Sequence, residues 1–193
     1  MTDIVQKNDP VLRKIAKPVP EKLFGTPELA GIIADMERAL DAEADGVALA
    51  APQIGVSYRI FIVRYDRTLP PVPEGEEVRT PDVGVYINPE FVRTSRKTAE
   101  LDEGCLSVRD VYGKTKRHER ATVRARRADG SAFTRGGGGM LAQIFEHETD
   151  HLNGTLFIDH AHDLVTLVRH KKEAPAEMAG AKDETRPPAN KGA

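Results

Sequence analysis

The run His147-Glu148-Thr149-Asp150-His151 is the part of this sequence best equipped for chemistry. Residues four apart stand one turn apart on one face of a helix, so both imidazoles can reach a single metal ion. Glu148, one position on, is placed to hydrogen-bond a water on that metal and take its proton. The same five residues would also suit an exposed, charged helix, so the surrounding sequence must decide. Met140, Leu141, Ile144, Phe145 and Leu152 are apolar at helical spacing, and Asn153-Gly154 closes the segment, which predicts a helix over 140–152 with one buried face. The lone cysteine, Cys105, lies in the turn Glu103-Gly104-Cys105-Leu106-Ser107. A free cysteine is commonly a small buried hydrophobe; the alternative is a reactive or metal-binding thiol. Two His and one Cys make three ligands and leave a fourth tetrahedral position for water, as in catalytic rather than structural sites. A thiolate in that set favours iron(II), zinc or cobalt over magnesium or calcium.

These side chains need a scaffold, and 193 residues suffice for one core. We expect a single catalytic domain over 1–170 and a disordered tail over 171–193, where Ala, Pro, Lys and Glu dominate. Lys and Arg (28) nearly balance Asp and Glu (30), which removes the footprint of a dedicated DNA binder and of a polybasic membrane patch. Apolar runs fall far short of the roughly 18 residues that cross a bilayer. The first nine residues lack a basic start followed by an apolar stretch, so a cytoplasmic address is expected. One cysteine excludes an intrachain disulfide.

Thr26 as N-cap, Pro27, and apolar residues at 29, 32, 33, 36 and 40 predict a helix over 27–44, stopped by Gly46. Gly46 to Gly55 is rich in small residues with an internal proline and reads as an extended loop allowing close backbone approach. Strands are predicted over 58–63, 85–87, 91–94, 99–102 and 121–126, with Asp129-Gly130 turning into a further strand over 131–134, and with a polar loop over 69–84. Their spacing suggests antiparallel meanders. Gly136–Gly139 is expected to be a flexible lead-in to the metal helix, 156–158 a last strand, and 164–168 part of a final helix.

Taken together, the runs Gly46-Val47-Ala48-Leu49-Ala50-Ala51-Pro52-Gln53, Glu103-Gly104-Cys105-Leu106-Ser107 and His147-Glu148-Thr149-Asp150-His151-Leu152-Asn153-Gly154 resemble, in order and spacing, the three signature motifs of the peptide deformylases. The resemblance covers roughly residues 4–168, including Asp9–Arg13 and Leu156–Asp159. It implies an α+β fold in which antiparallel β-sheets surround a central helix carrying the H-E-x-x-H ligands. The implied activity is removal of the N-formyl group from the initiator methionine of newly made polypeptides. Residue by residue, it implies Cys105, His147 and His151 as ligands of one divalent transition metal. Iron(II) is favoured by the resemblance, with zinc, nickel and cobalt compatible. Glu148 becomes the general acid/base, and the Gln53 amide and Leu106 backbone N–H become oxyanion donors. Gly46, Val47, Ala48 and Gly104 would bind an extended peptide in the manner of strand addition. Formylated nascent chains are the implied partners; a transient ribosome contact stays open, and the charge balance and short apolar runs point to neither DNA nor membrane.

Two positions depart from the family's pattern: Ala48 replaces a usual glycine and Arg109 a usual proline. They keep open a related amidohydrolase acting on another N-acyl substrate; a non-catalytic metal-binding homologue is the third reading. Arg117 is expected to pair with Asp150. Glu146 is read as a solvated helix position, or else as the carboxylate that orients a ligand imidazole. His118, His160, His162 and His170 are read as surface residues. The Arg124-Arg126-Arg127 cluster is read as a solvated strand edge, or else as a contact for ribosomal RNA.

Overall fold

The computed structural model describes residues 3–167 apart from positions 71, 74, 76 and 78. The predicted tail over 171–193, His170 and Val168 lie outside the described residues. Helix α1 spans Pro27–Asp41; the Thr26 side chain accepts from the Leu29 N–H at 3.3 Å, and Leu29, Ile33, Met36 and Leu40 are buried along one stripe. It stops three residues before the sequence suggests.

Strands β1 (Ala48–Ala50), β2 (Ile60–Arg64), β3 (Val83–Thr94), β6 (Arg120–Arg126) and β7 (Ala132–Gly138) form a five-stranded antiparallel sheet in the order β1-β2-β3-β6-β7. Strands β4 (Thr98–Cys105), β5 (Val108–His118) and β8 (His162–Thr166) form a second, also antiparallel, in the order β4-β5-β8. Helix α2 (Met140–Leu152) lies between them. This is the α+β arrangement that the resemblance implies.

The strand period of two explains how the larger sheet holds two cores. On β2, Phe61 and Val63 face the cluster that contains Phe145 and Leu152 of α2, while Ile60 and Ile62 face the cluster built on α1. Phe61 stacks on Tyr86 with centroids 4.5 Å apart, and Tyr86 meets Phe145 edge-on at 5.3 Å. A third cluster, around Leu12, Val108, Leu156 and Phe157, lies beside the smaller sheet.

Several expectations are corrected. The two short strands at 85–87 and 91–94 are one strand, β3, with a register shift between Ile87 and Glu90 at Asn88 (φ +51°). The Asn88 amide grips Val19 at both backbone groups, accepting from N–H (2.8 Å) and donating to C=O (3.0 Å), which fixes the N-terminal segment. Gly136–Gly138 is no flexible lead-in: all three pair with β6, and the break comes at Gly139 (φ +56°). Residues 156–158 do not form a strand. A single 3-10 turn, Phe157–Asp159, forms because the Asp159 carboxylate accepts from the Leu156 N–H at 2.9 Å. The predicted final helix is instead β8, drawn onto the edge of β5.

Candidate metal centre

Helix α2 presents His147 and His151 one turn apart, and the β4–β5 turn brings Cys105 to them. One ligand atom from each of the three lies within 4.8 Å of the others. Cys105 Sγ stands 3.2 Å from His151 Nε2. The other ring nitrogen of His147, Nδ1, meets Glu103 Oε1 at 2.7 Å, which leaves Nε2 as its ligand atom. Burial holds His151 well below the ordinary imidazole range, so its ring is neutral and its lone pair is available.

Glu148 is buried and, among the described residues, its Oε2 has no hydrogen-bond partner; His151 Nδ1 is likewise buried without one. Burial lifts the Glu148 carboxyl to about 7. A carboxyl poised near neutrality, with an unpartnered oxygen beside three soft and borderline donors, is what a proton-transferring group at a metal would be. The donor set therefore fits a divalent transition metal and is poorly suited to magnesium or calcium.

Gln53 sits in a 3-10 turn, Ala51–Ile54, directly after β1. Its Oε1 accepts from the Ala50 N–H at 2.8 Å, which turns Nε2 toward Ser107 Oγ (3.1 Å) and Cys105 Sγ (3.6 Å). The amide donor thus faces the metal ligands with its other end fixed. Gly46, Val47, Ala48, Gly104 and Leu106 line one cleft of about 310 Å³ together with Gln53, Cys105, His147 and Glu148. A Cβ on Gly46 would stand 2.8 Å from Leu40 Cδ1 and 3.1 Å from Leu106 Cδ1, so any other residue there would displace the Leu40 side chain.

The structure narrows the expectation for Gly46, Val47 and Ala48. The Gly46 carbonyl accepts from Arg67 at 2.8 Å and the Val47 carbonyl from the Arg64 N–H at 2.8 Å. Alternation along an antiparallel ladder then turns the backbone groups of Ala48 to the open edge of β1, as it turns the Ala50 N–H toward Gln53. Ala48 starts β1 and pairs with Val63, a regular strand position at which a methyl group is accommodated. Arg109, the other departure, lines the cleft and is tied to Glu43 at 2.5 Å.

Sequence reasoning placed Glu103 in a motif without a role, and it proves to be the hub. It is buried, and its carboxylate holds His147 Nδ1, accepts from Thr115 Oγ1 (2.6 Å) and forms a two-pronged pair with Arg117 (3.0 and 2.6 Å). Burial opposes its ionisation, but His147 and Arg117 outweigh that and hold the carboxyl well below its ordinary range. Arg117 also reaches Asp150 at 2.8 Å, the expected pair. Glu146 matches neither expectation: it is largely buried and accepts from the His118 N–H at 2.9 Å, while Glu103 takes the imidazole-orienting role. An acid two positions before the cysteine was the available signal.

The Polypeptide deformylase family model matches residues 1–166. The chain belongs to the polypeptide deformylase family. It is 41% identical over 155 residues to the peptide deformylase of Acidobacterium capsulatum, covering 80% of this chain and 83% of that one. Among solved structures, the actinonin-bound class I type b peptide deformylase of Acinetobacter baumannii superposes with a TM-score of 0.72 at 30% identity, covering 83% of this chain and 98% of the other. The Met-Ala-Ser-bound form of the same enzyme gives 0.71 at 31% identity, over 81% and 96%. The chain is accordingly a metal-dependent hydrolase that removes the N-formyl group from newly made polypeptides, and neither of the other two readings is favoured.

Proposed function

We propose that Cys105, His147 and His151 hold one divalent transition metal, iron(II) in the native enzyme, and that Glu148, Gln53 and Leu106 carry the deformylation. The convergence of those three ligand atoms within 4.8 Å, beside a buried carboxyl oxygen without a partner, is the observation that supports the assignment. When bound, the cation supplies Lewis acidity, acidifying water and polarising a carbonyl oxygen. Glu148 takes the proton of the attacking water and delivers it to the departing amine. The Gln53 Nε2–H and the Leu106 N–H donate to the formyl oxygen as it gains negative charge. The Ala48 edge of β1 and Gly104 hold the peptide extended, as strand addition requires, with Gly46 and Val47 shaping the cleft. That the Acinetobacter baumannii enzyme binds Met-Ala-Ser supports a peptide as the ligand of this fold.

Residues 1–170 act in this reading as one catalytic domain in the cytoplasm, with formylated nascent chains as substrate and a transient ribosome contact. The test compares wild type with Glu148→Gln on a short formyl-Met peptide, metal content being measured for both. We expect a loss of at least about 1,000-fold in kcat with metal content unchanged. Near-wild-type turnover by the metal-loaded variant would overturn the role given to Glu148.

A further inference from the structure

The arginines on β3 and β6 and in the turns that follow them fall into two groups. Arg124 pairs with Glu90 at 2.7 Å, Arg126 pairs with Glu21 and lies 3.9 Å over the Phe24 ring, and Arg127 lies over Phe133 at 4.8 Å. The cluster singled out by the sequence is thus engaged in internal contacts. Arg93, Arg96 and Arg120 differ: all three are exposed, and among the described residues their guanidinium groups have no hydrogen bond or ion pair. They line an open depression of about 410 Å³ where the β3–β4 turn meets the start of β6. Lys97, paired with Glu119 at 2.7 Å, is a fourth cation there, and serine and threonine complete a lining without acidic or apolar side chains.

The depression is pinned in shape. Ser95 donates its N–H to the Arg120 carbonyl (2.8 Å), its hydroxyl accepts from the Arg120 N–H (3.1 Å) and it donates to the Lys97 carbonyl (2.7 Å). It is also joined to the substrate cleft, because the Glu119 carbonyl accepts from the Gly139 N–H at 3.1 Å and Met140, the next residue, lines that cleft.

From this we infer that the depression formed by Arg93, Arg96, Lys97 and Arg120 docks the phosphodiester backbone of RNA. Unpaired guanidinium forks match phosphate oxygens two at a time, and the Thr94 and Thr122 hydroxyls suit phosphate and ribose. A bilayer would need apolar side chains to insert, and the lining has none. An enzyme that acts on newly made polypeptides meets RNA where its substrate emerges, and docking beside Gly139 would keep the cleft at that surface. This inference rests on the ribosome contact proposed above and supplies a surface for it.

The test uses the full chain, a fluorescein-labelled RNA hairpin and anisotropy over a range of salt concentrations. Arg93→Gln/Arg96→Gln/Arg120→Gln is expected to weaken binding at least about 10-fold and to flatten the dependence of log K on log salt by about 2 to 3. Deformylation of a short formyl-Met peptide should be unchanged, and Arg124→Gln/Arg127→Gln should keep most of the RNA affinity. Equal losses in the two variants, no loss in the first, or a wild-type preference for phosphatidylglycerol vesicles over the hairpin would overturn the proposal. Co-sedimentation with ribosomes separates the two readings. Wild type that binds the hairpin through this surface yet fails to co-sediment overturns the ribosome contact alone. Co-sedimentation that the triple variant retains overturns the surface and leaves the contact standing.

Discussion

Helix α2 has a dry side and a charged side, and the two sheets that flank it differ accordingly. Toward the five-stranded sheet it buries Ala142, Phe145 and Leu152 against Phe61 and Tyr86. Toward the three-stranded sheet it meets Glu103 and Arg117, both buried, through His147 and Asp150. Non-directional burial stabilises the first contact, whereas the second is satisfied only with every polar group in register, because an unpaired buried charge costs several kcal/mol. The dry side holds the helix in place, and the charged side sets the direction in which the His147 imidazole points.

Substitution on each side should therefore produce a different loss. Phe145→Ala removes a ring packed against Phe61 and Tyr86 and should cost about 3–5 kcal/mol in chemical denaturation, with the folded fraction still binding metal at unchanged stoichiometry. If metal affinity in the folded fraction fell as well, the division between the sides would be broken. Glu103→Gln removes the charged acceptor of His147 Nδ1 and half of the Arg117 pair. We expect metal affinity to drop about 10- to 100-fold in competition with a chelator, with a stability loss that metal only partly restores. A loss of stability with unaltered affinity would make Glu103 a purely structural charge.

A charged pair at the end of β2 that contacts neither His147 nor Glu103 sharpens the contrast. Asp66 pairs with Arg64 at 2.8 Å, and the Arg64 hydrogen bond holds its carboxyl at about 2 against an ordinary 3.8. A depressed acid stabilises the fold above its unfolded value and loses that contribution as pH falls through its folded value, here between roughly pH 4 and 2. Asp66→Asn should cost on the order of 1 kcal/mol at neutral pH and only a small part of that near pH 2, read by urea unfolding at both, with metal affinity unmoved.

The same division explains what the sequence made legible. The dry side announces itself, because Phe61, Ile62 and Val63 read as strand, and the apolar spacing of Met140–Leu152 reads as helix at its observed bounds. Strand β5 was invisible: its inward positions include Gly113, Thr115 and Arg117, so the apolar alternation that marks a half-buried strand is replaced by polar residues whose partners lie on β4 and α2. Glycines 136–138 misled for a related reason, since pairing with β6 overrides their weak strand preference. For the site, spacing supplied the two His, and the turn motif supplied Cys105 and Leu106. The geometry of Gln53 depends on a bond to Ala50, and Glu103 acquires its role from β5 and α2, neither of which is written in local spacing.

The central claim is that one thiolate and two imidazoles share one cation. X-ray absorption on anaerobically isolated protein measures this directly. The predicted result is one metal per chain with one sulfur and two imidazole nitrogens in its inner shell, and loss of the sulfur scatterer together with most of the metal in Cys105→Ala. An inner shell without sulfur, or a Cys105→Ala protein that keeps its metal at wild-type affinity, would contradict it.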